Sequence, residues 1–207
     1  MKLCTLSVGT ALEHPYQSGT VSSAILKSPT LEPLQLTQLG LVGDQQVDTK
    51  HHGGPDKAVC VYALEHYMFW AERLGRELPV AAFGENFTVT GLTEDQVCIG
   101  DVYRVGTTTV QVTQPRQPCF KLAMRHGIKD FAVQVEETGF TGFYLRVLQE
   151  GTVQAGDLFE VVQKGEIPVQ EVNQILHHEK KDRVGIERLM QDPFVADSLK
   201  KQLAKRL

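Results

Sequence analysis

The sequence predicts a mainly β, α+β fold: a barrel of short strands with peripheral helices, followed by a small three-helix C-terminal domain. Three observations carry that expectation. The first 160 or so residues contain short segments rich in Val, Thr, Leu, Phe and Tyr. Gly, Pro or Asp separates most of them, as in sandwiches and barrels. After "QKGEIP" (163–168) the strand pattern stops and helical spacing takes over.

In order, the strand segments are "KLCTLSV", "SSAILK", "PLQLTQ", "KAVCVY", "NFTVTG", "DVYRVG", "TTVQVTQ", "FYLRVL" and "DLFEVV". Two helices interrupt them. "ALEHYMFWAERLG" (63–75) spaces Leu64, Tyr67, Met68, Ala71 and Leu74 along one face and stops at Gly75. "IKDFAVQVEETG" (128–139) is a weaker helix, also closed by glycine. In the tail, Val169, Val172, Ile175 and Leu176 mark one helix, and Val184, Ile186, Leu189 and Met190 a second. Asp192 and Pro193 cap and open a third through Val195, Leu199 and Leu203. The boundaries read as 1–163 for the β domain and 169–207 for the helices, which at about 40 residues make a marginal core alone.

At 207 residues, a single core suffices without staples. No signal peptide is evident, and no run of about 18 apolar residues provides a membrane span, so a cytoplasmic protein is expected. The formal charge of −4 is uneven. Residues 1–168 hold 13 Lys and Arg against 19 Asp and Glu, whereas the tail holds eight against six. Such an acidic body disfavours nucleic acid as a partner, because counterion release needs a cationic face. The closing "KKQLAKRL" reads as a solvated helix face.

Cys4, Cys60, Cys98 and Cys119 are far apart and form no C-x-x-C pair, against both a zinc ribbon and a disulfide framework. The first three sit in short apolar runs and read as core. Cys119 differs. In "VTQPRQPCFKLAMRH" (112–126), Pro115 and Pro118 cannot donate to a ladder, so the preceding strand ends or runs along an edge. Nearby Arg116 and Lys121 favour the thiolate form of a cysteine at that corner. Such a thiolate serves as a nucleophile, with His126 or His52 as base, or as a soft metal ligand; a buried structural cysteine is the plain alternative.

Two further stretches carry polar groups. In "DTKHHGGPDKAVCVY" (48–62), Gly53 and Gly54 permit close approach of a ligand or a positive φ. His52, Asp56 and Lys57 flank them, placed to orient an anion or a metal-bound oxygen; a tight turn with exposed polar residues is the plain alternative. "AAFGENFTVTGL" (81–92) places Glu85 and Asn86 in a turn, where they can bond a heterocycle edge. The phosphate loops GxGxxG and GxxxxGK are absent.

"QPRQPCFKL" together with "HGGPDKAV", "FGENFTVTGL" and "GDVYRVG" resembles the MOSC-domain proteins, specifically the bacterial YiiM type with its C-terminal 3-alpha domain. "SSAILKSP" and "GFTGFYLRVL" fit the same pattern, so the resemblance covers most of the chain. It implies a MOSC-type β-barrel that binds the molybdenum cofactor (Mo-molybdopterin), with Cys119 as ligand to molybdenum. It implies reduction of N-hydroxylated compounds to amines: N-hydroxylaminopurine, hydroxylated bases, amidoximes and hydroxylamines. Electrons would come from a reductase partner, a flavin or iron–sulfur protein. The alternative within the same resemblance is a cofactor carrier or sulfur-handling protein.

Lys27, Arg116, Lys121, Arg146 and the backbone at Gly53 and Gly54 are the expected cofactor contacts, along with Asn86. His52 and Asp56 would hold or protonate groups near the metal. Gln117 stands where related proteins often carry serine, putting an amide in place of a hydroxyl contact. No nucleic acid or membrane partner is expected, and the chain reads as a monomer or homodimer.

Overall fold

In the computed structural model, residues 1–47 and 53–207 are described. Among them the first strands are β1 (Lys2–Val8), β2 (Leu12–Tyr16), β3 (Gly19–Ser23), β4 (Ser28–Thr30), β5 (Leu34–Thr37) and β6 (Gly40–Leu41). Strand β7 (Val59–Ala63) leads into helix α1 (Glu65–Leu74). Next come β8 (Phe87–Thr90), β9 (Cys98–Ile99), β10 (Val102–Val105) and β11 (Thr108–Pro115). Two helices follow, α2 (Phe120–His126) and α3 (Phe131–Thr138). Strands β12 (Phe143–Gln149), β13 (Gly151–Val153), β14 (Phe159–Gln163) and β15 (Ile167–Pro168) complete the β body.

The main sheet runs β14-β10-β11-β12-β7-β8-β1-β4. Neighbours are antiparallel except β7 and β8, whose parallel pairing requires the crossover that α1 supplies. The β14 end of this sheet comes round to meet β1, next to its other end. Leu3 N–H donates to Asp157 O at 2.9 Å, Gly156 N–H to Leu3 O at 2.8 Å, and Phe159 N–H to Met1 O at 3.2 Å. The start of β1 thus pairs with the approach to β14, giving the expected barrel-like closure, and closure removes exposed edges. Register shifts in β1, β10 and β11 bend the strands enough to curl.

One predicted strand fails. "SSAILK" leaves β3 at Ser23, and residues 24–27 are irregular. The reason is local: Ser23 Oγ accepts from Ile25 N–H, and Arg125 Nη1 donates to Ile25 O at 2.5 Å, so side chains occupy backbone groups a ladder would need. Sequence reading also missed α2. Its apolar spacing is short, with Leu122, Ala123 and His126 buried and Gly127 closing it at φ 72°.

The tail consists of α4 (Val169–Asn173), a wider π-type turn (Gln174–His178), α5 (Arg183–Gln191) and α6 (Asp197–Leu203). Asp192 does not open α6 as expected. Its carboxylate accepts from Phe194 and Val195 N–H in a separate turn, and the helix begins at Asp197. Val169, Val172, Ile175, Leu176, Ile186, Leu189, Leu199 and Leu203 belong to the same buried cluster as Leu3, Val110 and Leu145. The helices are therefore docked on the β body. Docking also explains why β11 is buried on nearly every residue.

Leu199 is 1% exposed in this shared core. Leu199→Ala should lower unfolding free energy by about 2–5 kcal/mol. Because the tail helices and the β body share one buried cluster, the helical and strand contributions to far-UV circular dichroism should be lost in one coincident transition in urea.

A second expectation concerns pH. His177 packs against α3, with Nδ1 3.6 Å from Glu136 and Nε2 buried without a partner among the described residues. Burial, and then the positive charges of His178, Lys180 and Arg206, push its pKa from 6.5 to about 4. The unfolded imidazole takes a proton below 6.5 while the folded one resists until about 4, so stability is lost as pH falls through that window. Denaturation midpoints between pH 7 and 4 should show this slope, and His177→Gln should flatten it.

Candidate functional site

Strand β11 pairs with β10 only from Thr108 to Gln111, whereas its pairing with β12 continues to Pro115 opposite Phe143. Arg116 N–H makes the last rung, to Gly142 O at 3.0 Å. Beyond it the chain leaves the sheet, as the prolines predicted. Cys119 is the N-cap residue of α2 in extended geometry, and its carbonyl accepts from Leu122 N–H at 3.0 Å. A strand end on one side and a helix start on the other fix the half-buried thiol.

The thiol opens onto a cleft of about 100 Å³, formed with the 23–27, 44–47 and 83–86 segments and Tyr144. Arg116 is 6% exposed. Its Nη2 donates to Phe83 O at 2.9 Å, but its Nη1 has no partner among the described residues. Burial opposes its charge, yet the neighbouring Cys60, Tyr144, Cys119 and Tyr62 side chains more than offset this and raise its pKa. Arg116 is a permanent buried cation facing the cleft.

Its neighbours differ in how far they are already committed. Lys27 pairs with Asp44, and both side chains are buried. Asp44 also accepts from Gly9 N–H at 2.8 Å and Asn86 Nδ2 at 2.9 Å. Asn86 Oδ1 accepts from Cys60 N–H, so its amide is fully engaged in building the wall. Glu85 is committed too, accepting from Tyr67 Oη, Phe83 N–H and Thr88 Oγ1. It therefore bonds its own turn in place of the expected heterocycle. Lys121, half-buried, has no hydrogen bond or ion pair among the described residues. Gly84 sits at φ +76°, and a Cβ there would meet Ile25 Cγ1 at 2.8 Å, so only glycine keeps this wall tight.

Other expected residues fall elsewhere. Asp56 pairs with Arg146 at 3.0 Å, and Arg146 Nη2 also reaches Phe194 O at 3.0 Å. Neither lines the cleft; together they tie the 53–57 loop to β12 and the tail. Gly54 takes φ +93° with open space where a Cβ would point, so it serves the turn; Gly53 adjoins it, also off the lining. His52 lies outside the described residues. His126 is no base for Cys119: its Nε2 donates to Ala82 O at 2.8 Å and its Nδ1 faces Arg76 at 3.3 Å. Burial first, then nearby arginines, lower its pKa against the opposing bond to Ala82 and keep it neutral.

A second cleft of about 550 Å³ shares Cys119, Lys57 and Tyr144 with the first and is closed by α6. Gln117 belongs here. Its Nε2 donates to Gln202 at 2.7 Å, and Ser198 Oγ donates to Gln114 at 3.1 Å. The Gln117 amide thus grips the tail.

Sequence reading missed Tyr144 and Cys60, whereas Lys57, named in "HGGPDKAV" as a group able to orient an anion, does line both clefts. Tyr144 is hidden inside an apolar strand. Cys60 is buried, as expected, but lines the first cleft; burial raises its pKa to about 11, so it stays a thiol. Cys4 and Cys98, expected in the core, are half-buried.

Residues 48–160 match the MOSC domain and residues 167–207 the YiiM-like, 3-alpha helix domain. The chain belongs to the MOSC family. It carries both parts in one polypeptide. It is 46% identical to the uncharacterized protein YflK of Bacillus subtilis over 204 residues, 98% of this chain and 92% of that one. A crystal structure of YiiM from Geobacillus stearothermophilus superposes with a TM-score of 0.86 at 36% identity, covering 100% of this chain and 98% of that one. A protein of Gibberella moniliformis named a reductase is 33% identical over 150 residues, 70% of this chain but 27% of its own length.

The residues present suit the cofactor associated with MOSC domains. A fixed thiol, a buried guanidinium with one open nitrogen and an unengaged lysine offer a metal ligand and two anion donors on one cleft. Among the described residues, no group of three His, Cys, Asp or Glu side chains converges. Cys119 would then be a single protein ligand, the remaining coordination coming from the cofactor. No helix is long and apolar enough to cross a membrane.

Breaking the Lys27–Asp44 pair should be costly, because it leaves a buried carboxylate short of a cation. Lys27→Met should lower unfolding free energy by about 3–5 kcal/mol in a urea titration. The double change Lys27→Met/Asp44→Leu should recover part of that loss.

Proposed function

We propose that this chain is a molybdenum cofactor-dependent reductase of N-hydroxylated compounds. The observation that carries the reading is the pairing of a fixed Cys119 with the open Nη1 of Arg116 on one cleft wall. Membership of the MOSC family and the relative named a reductase support it.

Cys119 Sγ would bind the metal, and Arg116 Nη1 with Lys121 Nζ would hold the anionic part of the cofactor. When bound, the cofactor supplies the two-electron chemistry that cleaves the N–O bond. Overall the reaction takes one R–NH–OH, two electrons and two protons to R–NH₂ and water, the electrons coming from a separate reductase protein.

The chain's own contribution is placement. Ile25 and Phe83 give the cleft apolar walls that limit water. Tyr144 keeps its proton, because burial and then the Cys60 thiol push its pKa far above the usual range, with Arg116 pulling the other way. Tyr144 lines both clefts, and its hydroxyl interacts with the Arg116 side chain. His126 remains a neutral strut beneath α2, and Asp56 secures the 53–57 loop through Arg146.

Protein made in a host that builds the cofactor should hold molybdenum and pterin near stoichiometry. Cys119→Ser should lose the metal and reduce N-hydroxylaminopurine turnover, driven by a chemical electron donor, by at least about a hundredfold. That is the upper end of losses seen when only a supporting residue of a metal site is changed. Zinc in place of molybdenum would overturn the reading. A loaded protein that never turns over would make it a cofactor carrier instead.

A further inference from the structure

Helix α6 and the turn after it place Ser198, Lys201, Gln202 and Lys205 along the second cleft, at spacings of three, four and seven residues. Such spacing forms one helix face. That face is registered against the thiol by two hydrogen bonds, Ser198 to Gln114 and Gln202 to Gln117, on either side of Arg116. The opposite face is anchored by buried Leu203. Helix α6 is therefore held next to Cys119 by its own chemistry.

Lys201 and Lys205 are exposed and have no hydrogen bond or ion pair among the described residues. Arg206, beside them, is committed to the carbonyls of Ile175 and Leu176. Among the described residues, the cleft lining includes three lysines and no Asp or Glu, in a chain with 25 acidic residues against 21 basic ones.

We propose that this face of α6 selects substrates bearing a phosphate, so that N-hydroxylated nucleotides are preferred over the corresponding bases and nucleosides. The inference rests on the reductase reading for its N-hydroxyl chemistry. Arg116 and Lys121 already provide for the cofactor's negative charge in the first cleft, which leaves Lys201 and Lys205 for the substrate. Two ammonium groups about one helical turn apart can share the oxygens of one phosphate. At about 550 Å³ the cleft falls in the range that takes a ligand of nucleotide size. Binding at the phosphate, remote from the N–O bond, helps orient the reacting end.

The test separates anion recognition from turnover by using adenosine and adenosine 5′-monophosphate as non-reducible probes, titrated calorimetrically into cofactor-loaded, full-length protein. The monophosphate should bind at least about tenfold more tightly than adenosine at low salt, a difference of about 1.4 kcal/mol, and the advantage should shrink as salt screens it. Lys201→Gln/Lys205→Gln should bring the two probes within about twofold while leaving adenosine affinity, molybdenum and pterin content unchanged. Equal binding by the wild type, or a preference the double variant retains, would overturn the proposal. So would loss of pterin from the variant, which would assign the lysines to the cofactor's own phosphate. Lysine-dependent binding of the monophosphate without reduction of its N-hydroxylated form would uphold the anion site and refute the reductase reading.

Discussion

A buried guanidinium with one nitrogen left open organises this molecule around its cleft. Burying a charge is unfavourable unless partners replace its water. Arg116 meets that demand only in part: Nη2 has Phe83 O, whereas Nη1 has no partner among the described residues. Phe83 in turn is held by stacking on Tyr62, with centroids 3.9 Å apart and planes 13° off parallel. Trp70 Nε1 donates to the Tyr62 hydroxyl at 2.8 Å, and Glu85 takes the Phe83 N–H. The aromatic cluster beneath the cleft is the frame on which one cation is mounted.

The same frame positions Cys119. Leu122 of α2 is packed within that cluster, and His126, at the far end of the helix, is tied to Ala82 O. The helix cannot slide without breaking both attachments. At the other end the ladder runs through Pro115 and finishes with the Arg116 N–H bond to Gly142 O, beyond which Pro118 has no N–H to extend it. The four residues from Arg116 to Cys119 have little freedom left, so the thiol and the open guanidinium nitrogen reach the cleft from one short, doubly anchored segment.

Much of this was legible because it is local. The ends of β11, the stop of α1 at Gly75 and the corner at Cys119 follow from proline and glycine chemistry within a few residues. Apolar periodicity revealed most strands and the three tail helices. What sequence could not show was commitment. Asn86, Lys27 and Asp56 look as available as Lys121 in the string of letters, yet each is engaged by residues distant in sequence: Lys27 by Asp44, Asp56 by Arg146, Asn86 by Ser7 and Asp44. Only the folded chain shows which polar groups hold the structure together and which remain for a ligand. The strand expected over "SSAILK" failed for a related reason, since Arg125, a hundred residues on, takes the Ile25 carbonyl.

The contrast between committed and open cations also gives the tail a reason to be docked. A freely tethered three-helix unit could bury its apolar face against any hydrophobic surface. Here Ser198 and Gln202 instead meet Gln114 and Gln117, two polar side chains that flank Arg116 and would otherwise face water. Hydrogen bonds of this kind add little net stability, about 1 kcal/mol each, but they specify register where apolar packing alone tolerates sliding. The shared core sets the strength of docking, and the two amides set its alignment with the thiol. Gln117 fits this division, because a side chain that reaches outward from the cleft can join the Cys119 loop to α6. The second cleft is consequently as fixed as the first, with Cys119 common to both.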